Sequence, residues 1–451
     1  MKEEDRAVSP TPRPARAWPP GAILFLLFLL NLLNFFDRTL PSVVNEPLRK
    51  EWGLSDLQLG LVGSAFTLVY AAAGVPLGRL SDSRPRGKIL GACLLAWSVL
   101  TAATAAATGY ASFFLVRLGI GVGEAGCAPA ASSIIGDLYP SERRARAIGL
   151  FMLGLPLGLV AAFLGGGQIV RATGSWRAPF LVAAVPGILV ALVVLLMPDP
   201  PRGGAETTAG VALAGSSERP IRSLLRIPTM LWIIASGITV NFSAYAGNGF
   251  MVSLLQRYFG MPIAEAANTS ALMLGGSGLV GLSVGGLLAD RIRRASARGR
   301  LLFGAGCLLA AAPATYTALT LPPGSSGAFT VLFGLGWLLY YAYYNTTYSA
   351  LQDVVPPHLR ATAMSLYFAG MYVLGGSLGP TVVGGLSDRL ARAAMARAGA
   401  AAMTPALKAQ GLHDAMILIP AALFLTGLTL LAASRTFTRD AARLSSPPGE
   451  G

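Results

Sequence analysis

Apolar residues in this chain come in long blocks separated by short polar connections. Twelve such blocks run roughly over 22–44, 57–80, 89–108, 111–136, 146–170, 177–197, 228–256, 267–289, 301–321, 327–352, 361–387 and 413–434. A hydrocarbon core about 30 Å thick takes about 20 apolar residues of helix, so each block is long enough to span. Within lipid the backbone satisfies its own hydrogen bonds only in helices or closed barrels. The alternating segments of about 10 residues that mark a barrel do not occur. The pattern predicts an all-α integral membrane protein with twelve transmembrane helices.

Polar stretches divide the chain further. The start, MKEEDRAVSPTPRPARAWPP, is polar and Pro-rich and reads as a disordered tail over 1–20. The apolar run after it continues into NLLNFFDR without a small-residue cleavage site, which predicts a retained first helix rather than a signal peptide. The longest internal polar stretch, 198–226, is rich in Gly, Pro, Ala and Ser and reads as a flexible linker. It separates a six-helix bundle over 21–197 from a second over 227–435, followed by a tail over 436–451.

The two halves echo each other. DLYPSERRARAIGLFMLG after the fourth block matches DVVPPHLRATAMSLYFAG after the tenth, with Asp137, Pro140, Arg144 and Gly154 on Asp353, Pro356, Arg360 and Gly370. GRLSD (78–82) matches GLLAD (286–290), and Asn34-Phe35 matches Asn241-Phe242. Two parallel six-helix halves are the layout of a facilitator-type transporter.

Composition supports this reading and changes one inference. Charged residues make up only 12% of the chain, against about 25% in soluble domains. The net charge of +14 would suggest nucleic acid in a soluble protein. Here most Lys and Arg fall on segments that are cytoplasmic when the N-terminus is inside, as the positive-inside rule demands. The charge therefore sets topology and favours anionic membrane lipids, with both termini cytoplasmic and no nucleic-acid partner. Cys93, Cys127 and Cys307 sit in apolar blocks at no metal-like spacing and read as small buried side chains. The two histidines, His358 and His413, read as loop residues, and no metal, cofactor or nucleophile constellation emerges.

Against this background, charges inside the blocks stand out. FLVRLGIGVGEAG (114–126) holds Arg117 and Glu124 two turns apart, on one face to within about 20°. Gly121, Ala125 and Ala128 lie near that face and permit close packing or a cavity. NLLNFFDRTLP places Asp37 on the face of Asn34, near a helix-bending Pro41. Intramembrane charges are costly and usually face an interior. Burial and a nearby arginine pull the protonation of Asp37 and Glu124 in opposite directions, a balance suited to binding and releasing a proton. A static ion-pair network of the same three residues is the alternative. Arg38, about 100° round the first helix, points either to the outer surface or into the cavity. The second half lacks these charges: Ala244 stands for Asp37, and Phe333 and Tyr340 stand for Arg117 and Glu124. Its tenth block reads LLYYAYYNTTYSALQD. Tyr340 and Tyr344, one turn apart, are the expected cavity pair, offering an apolar body with a polar tip; the other tyrosines suit helix packing or the interfacial belt. The run G-x-G-x-x-G at Gly121–Gly126 mimics a dinucleotide fingerprint, but it lacks the preceding strand and reads as packing glycines.

GRLSDSRPRGK (78–88) resembles the cytoplasmic loop signature of the major facilitator superfamily through Gly78, Leu80, Asp82 and Arg86, with Ser83 and Pro85 departing from it. GSWRAPF (174–180) and DPPRG (199–203) fit the same superfamily. NFFDR, VRLGIGVGEAG, APAASSIIGDLYP and DPPRG resemble the spinster family of lipid transporters. The resemblance implies a major facilitator fold and alternating access. It implies proton coupling at Asp37 and Glu124, and ties Arg117 to substrate or to those carboxylates; Arg117, with Asn34, Arg38, Tyr340 and Tyr344, forms the expected substrate site. It implies cytoplasmic gating by Asp82, Arg86, Arg144, Asp290 and Arg360. The expected substrate is a lysophospholipid-like or sphingoid-like amphipath, moved by a monomer in a bacterial inner membrane without a cofactor. Small organic anions and drug-like amphipaths are the rival cargo; a membrane lipid enzyme, a channel or a scramblase are rival classes.

Overall fold

The computed structural model describes residues 18–202, 220–296, 298–356 and 359–445. All regular secondary structure among those residues is helical, without a strand. Twelve long helices follow in order. In the first half they are α1 (Pro20–Val43), α2 (Asp56–Ser83), α3 (Arg86–Thr104), α4 (Tyr110–Leu138), α5 (Arg146–Thr173) and α6 (Ala178–Leu195). In the second they are α7 (Pro228–Arg257), α8 (Ile263–Ala289), α9 (Gly299–Leu319), α10 (Ser326–Asp353), α11 (Thr362–Arg397) and α12 (Pro405–Arg443). Eleven are long and apolar enough to cross a membrane. The exception is α10, whose tyrosines dilute an otherwise apolar 28-residue helix.

The packing repeats from one half to the other. α1 lies on α5 and α6, α3 on α4 and α6, and α2 on α4; in the second half α7 lies on α11 and α12, α9 on α10 and α12, and α8 on α10. The contacts between halves obey the same exchange, α2 against α11 and α5 against α8. The result is two six-helix bundles related by a pseudo-twofold axis. One apolar core lies wholly within the first bundle, while the larger joins both.

The described chain ends lie on one face, the terminal face, because each bundle has an even number of spans. The bundles meet on the opposite face through small residues. A Cβ added at Gly60 would strike the backbone of Pro380, and one at Gly384 the backbone of Asp56. At Gly167 it would lie 2.6 Å from the Ala267 methyl. Only glycine lets these helices approach so closely. Gly60→Ala is therefore expected to destabilise the protein by about 1–3 kcal/mol through overpacking. Gly306→Ala, where nothing lies within 4 Å, is expected to be neutral or stabilising. Thermal unfolding of the two purified variants separates these outcomes.

Ions reinforce this seal. Arg257, at the end of α7, donates to Glu46 at 2.6 Å and to both oxygens of Asp56 at 2.7 and 2.8 Å. All three side chains are about 5% exposed. Asp388 of α11 accepts from the backbone N–H groups of Asp56 and Leu57 at 3.1 and 3.0 Å. It thereby caps the start of α2 from the other bundle. Ser387 donates to Asp56, and Asn45 to the Gly249 carbonyl.

Local details refine the sequence reading. α4 breaks at Gly126 into Tyr110–Ala125 and Cys127–Leu138. π-helical turns interrupt α8 at Ala271–Gly276 and α11 at Gly370–Gly376. Pro41 falls in the last turn of α1 and coincides with its end rather than a mid-helix kink. His413 lies in a helix, Pro405–Ala415, because α12 begins earlier than its apolar block; its ring stacks on Tyr258 at 4.0 Å. His358 lies outside the described residues. In GSWRAPF, Gly174 ends α5 with φ of 67°. Arg177, and with it Trp176, then donates to Glu51, which holds that carboxyl below its usual range.

Candidate functional site

Between the bundles, beneath the seal, lies a cavity of about 350 Å³. Its first-bundle wall includes Arg38 and Arg117; its second-bundle wall includes Tyr245, Tyr340, Tyr344, Tyr348 and Tyr372. This is the charged-versus-aromatic division expected from the sequence, with aromatic contributions from α7 and α11 that the sequence reading missed.

The charges are arranged differently from the expectation. Glu124 is fully buried and accepts from Arg38 Nε at 2.7 Å and from Asn34 Nδ2 at 3.1 Å. Its partner is thus Arg38, and Arg117 makes no ion pair within 4 Å among the described residues. Arg38 turns inward, its guanidinium 4.0 Å from the Tyr70 ring centre and near Phe35 and Phe66. That settles its orientation: it lines the cavity. A cation over aromatic faces gains about 1–2 kcal/mol when desolvated, which helps keep Arg38 in the protein interior.

Asp37, on the adjacent position of α1, points the other way. It is 3% exposed, and its Oδ2 accepts from Thr101 of α3 at 3.4 Å. Its Oδ1, Glu124 Oε1 and the Trp97 indole N–H have no partner among the described residues. Asp37 and Glu124, with Asn34, therefore lie behind the cavity wall, inside the first bundle; neither carboxylate lines the cavity. The stripe on α4 splits in function, with Glu124 turned to α1 and Arg117 to the cavity.

Arg117 is the unusual member. It is 2% exposed, and its Nε and Nη1 have no partner. Phe66 lies 5.2 Å beneath its guanidinium. A buried charge without hydrogen bonds costs several kcal/mol, so a cavity-facing guanidinium with free donors calls for an anionic ligand group.

Tyr340 and Tyr344 line the cavity and share a hydroxyl–hydroxyl hydrogen bond. Tyr341 and Tyr348 line it as well, and only Tyr343 turns into the bundle, bonded to Ser236 and Tyr367. Gly123 and Gly126 pack against Trp97 and Cys93, in keeping with packing glycines.

The expected gate residues divide. Arg86 is 1% exposed and donates to Ser133 at 2.9 Å, to Asp199 at 3.3 Å, to the Pro200 carbonyl at 2.7 Å and to Asp137. It ties the start of α3 to α4 and to the segment after α6 at the terminal face. Arg144 donates to the Gly136 and Tyr139 carbonyls, and Arg360 to the Gln352 carbonyl, so each closes a loop of its own bundle. The side chains of Asp82 and Asp290 lie outside those described.

Comparison with known proteins agrees with this architecture. The sequence model described as Major Facilitator Superfamily matches residues 27–380. An MFS-type efflux pump of Mycolicibacterium smegmatis is 31% identical over 432 residues, covering 95% of both chains. Protein spinster homolog 3 of Homo sapiens is 28% identical over 398 residues, covering 84% of this chain and 76% of the relative. The solved structure of a bacterial homologue of the human lysosomal transporter Spinster, inward-facing and unoccupied, superposes with a TM-score of 0.83 at 28% identity. It covers 93% of this chain and 98% of that one.

Proposed function

The chain belongs to the major facilitator superfamily and is of the spinster type, and on that premise we propose that it moves an amphipathic, lipid-like substrate by proton-coupled alternating access. The substrate class is lysophospholipid or sphingoid. The observation that carries the proposal is Arg117, buried at the cavity with free donors and facing a tyrosine wall. An anionic head satisfies the guanidinium while a tail lies against the rings.

Protons enter through the carboxylates behind the wall. Asp37 and Glu124 each keep an unpartnered oxygen in a dry interior, where gaining or losing a proton alters the local charge strongly. Arg38 stands between Glu124 and the cavity, so occupancy of the cavity and charge on Glu124 act on one guanidinium. The sealed face is the outer one, both termini are cytoplasmic, and the carrier works as a monomer in a bacterial inner membrane. In the opposite state Asp82, Arg86, Arg144, Asp290 and Arg360 close the terminal face.

The test is flux of labelled lysophospholipid in proteoliposomes, with and without an imposed pH gradient. Wild-type flux is expected to respond to the gradient. Asp37→Asn and Glu124→Gln are expected to fold and to lose that response. Flux indifferent to both gradient and substitutions would sink the proton-coupled reading. The efflux-pump name of the mycobacterial relative favours a second reading, export of drug-like amphipaths, which wins if such compounds outcompete lysophospholipid.

A further inference from the structure

Several amide and hydroxyl side chains of the cavity wall donate to backbone carbonyls. Asn45 donates its amide N–H to the Gly249 carbonyl at 2.8 Å, Asn241 to Met371 at 2.9 Å and Asn345 to Leu282 at 2.8 Å. Thr67 spends its hydroxyl proton on the Gly63 carbonyl at 2.9 Å. Asn248, also on the wall, has a buried Oδ1 with no partner among the described residues. Each asparagine that donates to backbone keeps its own carbonyl oxygen as an acceptor, and a carbonyl can only accept. The buried nitrogen donors without a partner on the wall belong to Arg38 and Arg117. The cavity thus offers cationic donors on the first bundle and, beside the tyrosine hydroxyls of the second, amide acceptors at Asn241, Asn248 and Asn345.

We propose that these asparagines, Asn248 foremost, select a substrate whose head carries hydrogen-bond donors, an ammonium or hydroxyls, beside its anionic group. The inference rests on the lipid-transport reading and sharpens it. An anion without donors satisfies Arg117 but strips water from the amide oxygens and returns nothing. A site built to bond a polar group discriminates strongly against the analogue lacking it.

The experiment is displacement of a fluorescent lysophospholipid from the purified full chain in nanodiscs. The competitors are lysophosphatidylethanolamine, which carries an ammonium and a hydroxyl, and an alkyl sulfonate of equal chain length, which carries no donor. Wild type is expected to favour the first by about tenfold or more, the ratio one or two charged hydrogen bonds supply. Asn248→Leu is expected to weaken lysophosphatidylethanolamine about tenfold and to leave the sulfonate unchanged. Asn345→Leu gives a second, independent reading if the first variant does not fold. Equal wild-type affinities, or equal losses for both competitors in the variants, would overturn the inference while leaving lipid transport intact. Failure of the lysophospholipid probe itself to bind would overturn both.

Discussion

Arg117→Leu is expected to weaken substrate binding and movement by about 10- to 100-fold while leaving the thermal midpoint unchanged or higher, and Arg38→Leu is expected to lower the midpoint markedly. The two arginines differ in what they leave behind. Arg117 has two guanidinium nitrogens without partners, so its removal breaks no ion pair and relieves a desolvation cost of several kcal/mol. What disappears is a cavity cation that makes no ion pair among the described residues and is placed to receive an anionic head. Loss of a charged hydrogen-bond partner costs about 1.5–3 kcal/mol, which lowers binding by about 10- to 100-fold. Arg38 is the ion-pair partner of Glu124 at 2.7 Å. Its removal leaves a fully buried carboxylate with only the Asn34 amide, a loss of about 3–5 kcal/mol. The double variant Arg38→Leu/Glu124→Leu is expected to recover most of that stability, because replacing both partners by apolar groups is close to neutral. Thermal unfolding and substrate binding on the same preparations decide the matter. If Arg117→Leu destabilised as much as Arg38→Leu, Arg117 would be structural and the anion-binding role would fall.

That inversion of roles marks the limit of what the sequence disclosed. The fold was legible because a bilayer imposes its thickness on every span, and because GRLSD and GLLAD, or Asp137 and Asp353, preserve an internal repeat. Arg117 and Glu124 were legible as buried charges because nothing else explains them in an apolar block. Which arginine meets Glu124 was not legible. Arg38 and Asp37 differ by about 100° round α1, and the rotation of that helix against α4 is set by tertiary packing such as Gly158 against the Leu32 backbone. Tyr245 and Tyr372 escaped notice because a solitary tyrosine in a span usually packs. The signal for Tyr245 was present, since the echo that pairs Asn34-Phe35 with Asn241-Phe242 also sets Tyr245 opposite Arg38. Arg257 and Asp388 gave no local sign at all; charges at helix ends are ordinarily solvated, and these become buried only when the two bundles close.

Those two residues lead to the second large effect. Arg257→Gln is expected to open the sealed face. Arg257 belongs to α7, and both its partners, Glu46 and Asp56, belong to the other bundle. In the sealed state the three side chains are almost dry; with the bundles apart, water solvates each of them. Removing the cation therefore penalises the sealed state selectively, by about 3–5 kcal/mol for two carboxylates left buried with fewer partners. In a two-state carrier that shifts the equilibrium by about 10²- to 10⁴-fold toward opening on this face. A cysteine placed at Ser42, on the cavity wall, reports the change in a background lacking the native cysteines, through labelling by an impermeant thiol reagent added from the sealed face. Labelling is expected to be slow with Arg257 present and fast in Arg257→Gln. On the proposed alternating-access reading, flux should fall even though α7 ends beyond the cavity, because a carrier that cannot reseal one face cannot complete its cycle. Unchanged labelling would mean that the glycine contacts at Gly60 and Gly384 hold the seal alone, with the ions as mere followers of the packing.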